Sequence, residues 1–197
     1  MIIAITGQAR SGGAALAEAL HHMGYPVAIQ TPTPMAPTWR FDWEDTRLSM
    51  EIMRGAPDQQ WFAEYLLSRF AHAETLHKTE TVVLKSPFLA LYREPLDYAA
   101  EALGDKIFWV VMEREQDQIE LSMDQWPDLS RVDNEQIQEI IDEAEFAAAA
   151  YVRYEDLVSD PADLLKSFCA TLGLTPSADS FERAVLQIVL PTLKESF

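Results

Sequence analysis

The first twenty residues limit this chain more than any later stretch. Met1-Ile2-Ile3-Ala4-Ile5-Thr6 is a short apolar, β-branched run. Gly7-Gln8-Ala9-Arg10-Ser11-Gly12-Gly13 follows at once, and Ala14-Ala15-Leu16-Ala17-Glu18-Ala19-Leu20 then has helical spacing. Strand, glycine-rich turn and helix in that order make an anion-binding layout. Glycine lets backbone approach an anion closely, and a helix N-terminus offers unpaired N–H groups and the positive end of its dipole. The order predicts a phosphate-like group held near Arg10.

The turn differs from the loop of metal-dependent triphosphatases. That loop is G-x-x-x-x-G-K-[ST], with Lys on the β/γ-phosphates and a hydroxyl on magnesium. Gly7 and Gly12 have the spacing, but Gly13 stands where Lys belongs and Ala14 where Ser or Thr belongs. The cation is Arg10, inside the loop. Phosphoryl transfer from a magnesium triphosphate therefore lacks two of its parts.

A chain of 197 residues suits one domain, residues 1–197, with a real core. No apolar run reaches membrane-spanning length, and no basic leader precedes the first strand, so nothing is expected ahead of the fold. The single cysteine, Cys169, leaves no internal disulfide and no cysteine-rich zinc site; it reads as core packing on a helix face. A cytoplasmic protein is the simplest expectation. The formal charge of −17, with a pI near 4.4, disfavours nonspecific nucleic-acid binding. It leaves room for a local basic pocket, for which Arg10, Lys85 and Arg114 are the candidates.

Strands and helices alternate along the chain. Helical spacing covers residues 12–24, and Tyr25–Ala28 reads as a short second strand. Pro26, Pro32, Pro34 and Pro37 make 31–41 a loop. Residues 44–54 have helical spacing, ended by Gly55-Ala56-Pro57. A further helix is expected over 58–76, with Trp61, Leu66, Leu67 and Phe70 on its core face. Thr81–Leu84 and Lys106–Met112 are buried strands; helices follow at 94–103 and 116–123. An acidic helix is predicted over 134–148 and a strand over Ala150–Tyr154. Asp160-Pro161 starts a helix to about Leu172. His21, His22, His72 and His77 lack metal-ligand spacing with acids or cysteines and read as surface or boundary residues.

Continuous apolar strands between helices indicate an α/β fold, three layers with a mostly parallel central sheet. Ligands of such sheets bind beyond the C-terminal strand ends. Those ends are Gly7–Gly13, Lys85–Pro87, Glu113–Arg114 and Tyr154–Asp156, so the loop and the separated cations fall on one rim.

Five segments, in order, resemble the P-loop sulfotransferase family. Ile5-Thr6-Gly7-Gln8-Ala9-Arg10-Ser11-Gly12 is similar to the family's 5′-phosphosulfate loop in the branch with Arg-Ser-Gly. Met112-Glu113-Arg114, with Ser122 eight positions after Arg114, resembles the 3′-phosphate motif. Trp43-Glu44-Asp45-Thr46-Arg47 and Lys85-Ser86-Pro87-Phe88 resemble the catalytic-acid and Lys-x-Pro segments of the tyrosylprotein and bacterial branches. Val152-Arg153-Tyr154-Glu155-Asp156-Leu157-Val158, with Asp160-Pro161, Phe168 and Leu172-Gly173-Leu174, resembles the segment that closes the family's domain.

The resemblance implies sulfuryl transfer from 3′-phosphoadenosine 5′-phosphosulfate to a hydroxyl of a small molecule or peptide, with no metal, nucleic acid or membrane involved. Gly7, Ala9, Arg10, Ser11, Gly12, Gly13 and Ala14 would hold the donor's 5′ end, and Arg114 and Ser122 its 3′-phosphate. Arg10 and Lys85 would act on the reacting group, with Asp45 or Glu44 taking the acceptor's proton. Glu44 and Asp45 also suit a helix N-terminus, where acids are favoured. The chain departs from the family in two places. Gly13-Ala14 lacks the usual hydroxyl, and Glu115-Gln116 replaces Asp-Pro, which brings an acid near the expected anion. A kinase on the same fold, or a non-catalytic nucleotide-binding module, are the other readings.

Overall fold

The structure, a computed structural model, describes residues 1–27, 48, 51–52, 54–55, 57–124, 134–143 and 148–194. Its centre is β1 (Ile2–Gly7), every residue of which is buried. On either side lie β2 (Val82–Lys85) and β3 (Ile107–Glu113), and β4 (Ala150–Arg153) pairs with β3, giving the order β2-β1-β3-β4. All three pairings are parallel, with Ile2 opposite both Val82 and Ile107 and Gly7 opposite Met112. The sheet is thus as the apolar runs predict, and the register brings the four C-terminal strand ends to one rim.

Side chains alternate across a strand, so each strand feeds two cores. Ile2, Ala4, Val82, Leu84, Trp109 and Val111 face one side, where they meet α2 (Gln59–His72), α3 (Arg93–Ala102) and α5 (Asn134–Asp142). Ile3, Ile5, Val83, Val110, Met112 and Val152 face the other, against α1 (Gly13–His22), α7 (Pro161–Leu172) and α8 (Ala178–Lys194). The result is a three-layer α/β/α architecture. Ile2, Ile3 and Ile5 are each at most 1% exposed, and burying such a side chain is worth about 1.5–3 kcal/mol, so both layers hold β1. Shorter helices include α4 (Gln116–Asp124) after β3, α6 (Tyr154–Ser159) after β4 and a 3-10 helix over Pro87–Tyr92 after β2. Among the described residues no helix is long and apolar enough to cross a membrane.

Several expectations change. Tyr25–Ala28 does not form a strand within the described residues; Val27 makes a single parallel bridge to Val83. Leu67, expected in the core, is 55% exposed, while Phe62 and Tyr65 are buried beside Leu66. The Asp58 carboxylate accepts from the Trp61 amide at 2.8 Å and fixes the phase of α2, so that positions 62, 65, 66 and 69 share the inner face. The α-helix ends at His72, and Ala73–His77 is a π-helical turn closed by Lys78 with φ 55°. The acidic helix ends at Asp142, short of the expected 148, and the Ala149 amide donates to the Trp109 carbonyl at 2.8 Å, leading into β4. Tyr154 opens α6 rather than ending a strand. Helix α8 has no counterpart among the predicted elements. Its signal is the spacing of Phe181, Ala184, Val185 and Ile188, which pack into the core over α1.

Cys169 packs as expected, buried on α7 with its Sγ 3.8 Å from the Met23 sulfur; burial pushes its thiol pKa up. The four histidines, expected as surface or boundary residues, form one row where α1 and the π-turn end. Ring centroids are 5.8 Å apart for His21 and His22, 6.1 Å for His21 and His77, and 5.8 Å for His72 and His77.

Candidate active site

The glycine-rich turn is shaped by backbone that only glycine tolerates well. Gly7 has φ 140°, and a Cβ there would collide with the Met112 carbonyl oxygen. Gly12, at the N-terminus of α1, has φ 97°, and a Cβ there would collide with the Tyr154 ring. Between them Arg10 is itself left-handed, with φ 71°, a conformation uncommon outside glycine. The Ser11 amide donates to the Gln8 carbonyl at 3.1 Å, and the Ala9 amide to the Asn134 side-chain oxygen at 2.8 Å. Asn134 begins α5, so a helix from the other layer holds the loop.

A cavity of about 270 Å³ opens over this turn at the C-terminal ends of β1 and β2, the size of the anionic end of a ligand rather than a whole one. Gly7, Ala9, Arg10, Ser11, Gly12, Gly13 and Ala14 line it, and so do Lys85, Arg114 and Tyr154. Three cations from β1, β2 and β3 ends therefore converge, as expected from the rim. No carboxylate lines the cavity among the described residues, although the chain carries a net charge of −17. Such a pocket concentrates an anion against the field of the whole surface.

The cations are held by neighbours as well as by the rim. Arg10 Nε donates to the Ser122 hydroxyl at 2.9 Å. Arg114 donates to the Arg10 carbonyl at 3.1 Å, and its guanidinium lies 4.5 Å from the Tyr154 ring centroid, a cation–π distance. Its Nε is buried without a hydrogen-bond partner among the described residues. Ser122 lies outside the cavity wall and reaches it through Arg10. Thr6, 3% exposed, accepts from the Ala90 amide at 3.3 Å and donates to the Pro87 carbonyl at 3.0 Å. That pair fixes the Lys85-Ser86-Pro87 turn against β1.

Glu115 does not crowd the site. It is exposed, 3.9 Å from Arg153, and it is absent from the cavity wall. The departure at Glu115 thus points its charge elsewhere, because the chain turns outward after Arg114 and the Glu115 amide donates to Glu155 at 3.2 Å. Glu44 and Asp45 lie outside the described residues, as does all of the Pro-rich segment 31–41. Tyr154 and Asn134 were not among the expected site residues. A tyrosine directly after a strand was the only sequence signal for the first. The second had none, since its partner is 125 residues away.

No family model matches this sequence, and no curated protein matches it either. Among solved structures the chain is similar to the sulfotransferase STF1 from Mycobacterium tuberculosis H37Rv. The likeness has 16% identity and a TM-score of 0.47, and covers 93% of this chain and 70% of that one.

Proposed function

We propose that this chain, as one domain over residues 1–197, transfers a sulfuryl group from 3′-phosphoadenosine 5′-phosphosulfate to a hydroxyl acceptor. The observation that carries the reading is the cavity: Arg10, Lys85 and Arg114 converge on a glycine-rich turn with no described carboxylate beside them. The residues present suit the donor's anionic end, with Arg10, Lys85 and Arg114 all on the cavity wall. Gly13 and Ala14 stand where a magnesium triphosphate requires Lys and a hydroxyl, which argues against the kinase alternative. The outward course of Glu115 removes one argument for a module that binds without turnover.

The donor supplies a sulfuryl group on a phosphate that gains negative charge as the S–O bond breaks. Arg10 and the amides of Gly12 to Ala14 are the groups to meet that charge, worth more inside a walled cavity than in water. Lys85 stands at the reacting group, and Arg114 holds the 3′-phosphate by a charge-assisted hydrogen bond. Ser122 orients Arg10 through its Nε. Asp45 or Glu44 accepts the acceptor's proton.

Thermal denaturation tests this reading. Adenosine 3′,5′-bisphosphate without magnesium should stabilise the fold by about 2.7 kcal/mol at a hundredfold excess over its Kd. Magnesium ATP should stabilise it much less; the reverse ranking would establish the kinase reading instead.

A further inference from the structure

We propose that Gly13 is a positioning residue of the anion site, because Lys85 lies in the space that a side chain larger than alanine's would take there. A Cβ built at Gly13 would sit 3.4 Å from Lys85 Cε, 3.8 Å from Lys85 Cγ and 3.5 Å from Ile5 Cγ2. Its backbone is not in the left-handed range, unlike that of Gly7 or Gly12, so conformation does not demand glycine here. What limits the position to a small residue is the aliphatic stem of Lys85, which crosses the first residue of α1 on its way to the cavity. The loop and β2 thus exchange roles. A triphosphate loop carries its own cation at this position, whereas this one leaves the position bare and receives a cation from the neighbouring strand.

A larger residue at position 13 acts through Lys85. Alanine adds only a Cβ at ordinary contact distance. Threonine adds two further atoms, which fill two of the three staggered positions around a Cβ already touching Lys85 and Ile5. The consequence runs against the family pattern quoted above, in which a hydroxyl follows Ser-Gly and contacts the anion. Here Gly13→Thr displaces the lysine and weakens anion binding, despite offering a hydroxyl. The inference rests on the cavity being an anion site, and its test separates the two ideas.

The test is a double-mutant cycle with Gly13→Thr, Lys85→Ala and the pair combined, and Gly13→Ala beside them. Binding of adenosine 3′,5′-bisphosphate is measured by calorimetry without magnesium, and stability by chemical denaturation. Gly13→Thr is expected to weaken binding about tenfold or more, as the loss of a charge-assisted contact does, and Gly13→Ala to weaken it less. In the Lys85→Ala background Gly13→Thr should cost little further affinity, and its destabilisation should shrink, since the obstacle is gone. Equal or tighter binding by Gly13→Thr, or losses that simply multiply, would overturn the proposal. So would unfolding of Gly13→Thr both with and without Lys85, because Ile5 would then be the obstacle. If the unmutated protein binds inorganic pyrophosphate but not the bisphosphate, the sulfuryl-transfer reading falls, and the cycle is decided with pyrophosphate. Binding of neither overturns both.

Discussion

Arg10 and Ser122 stand 112 residues apart in the chain and 2.9 Å apart in space, the arginine Nε donating to the serine hydroxyl. The contact turns a loop cation of left-handed backbone into one with a fixed side-chain direction. Arg10→Ala should therefore lower sulfuryl transfer strongly and bisphosphate affinity less, since the charge that it meets develops in the transition state. Ser122→Ala should lower transfer in the unmutated protein and have little effect once Arg10 is alanine. Steady-state kinetics over a panel of hydroxyl acceptors measures this. Full additivity of the two losses would mean that Ser122 acts by another route.

Arg114 predicts a difference between ligands. Arg114→Ala should weaken a 3′-phosphorylated nucleotide by about 1.5–3 kcal/mol, the worth of a hydrogen bond to a charged group, and its 3′-dephosphorylated analogue far less. Arg114→Lys should not restore the difference, because a point charge cannot both stack on Tyr154 and donate to the Arg10 carbonyl. Calorimetry with both ligands decides it, and equal weakening would move Arg114 off the 3′-phosphate.

Gly12 and Gly24 share φ 97° but not their surroundings. A Cβ at Gly24 meets nothing within 4 Å, so Gly24→Ala should cost only the left-handed backbone term, about 1–2 kcal/mol. Gly12→Ala should cost more, because the Tyr154 ring must also move. Denaturant midpoints of the two variants give the comparison; equal costs would show that the ring yields freely.

His21 predicts the direction of acid sensitivity. Burial lowers its pKa below the usual 6.5, and the nearby His22 and His77 lower it further. The folded state then binds fewer protons than the unfolded state once pH falls below about 6.5. Stability is full above that pH and is lost as pH falls toward the lowered value, with Glu18, 3.9 Å from His22, as an opposing charge on the same helix. His21→Gln should flatten the slope of unfolding free energy between about pH 7 and pH 5. An unchanged slope would assign the sensitivity to other groups.

The sequence by itself determined the elements whose signals are local. β1, the turn after it and α1 follow from residues 2–20 alone, and the apolar runs at Val82–Lys85 and Ile107–Glu113 required a covered parallel sheet. Because parallel strands bring their C-terminal ends to one side, Arg10, Lys85 and Arg114 were legible as one rim before any coordinates. Local signals failed where a distant partner decided the outcome. The inner face of α2 was set by its cap and by the Trp61–Tyr65 stack, at 5.1 Å between centroids, rather than by hydrophobicity counts. Only tertiary structure put Asn134 on the Ala9 amide, Tyr154 between Gly12 and Arg114, and the stem of Lys85 across Gly13. Each of these contacts joins residues forty or more positions apart. Periodicity and turn chemistry act over a few neighbouring residues, whereas contacts at that separation depend on register and on the packing of both layers.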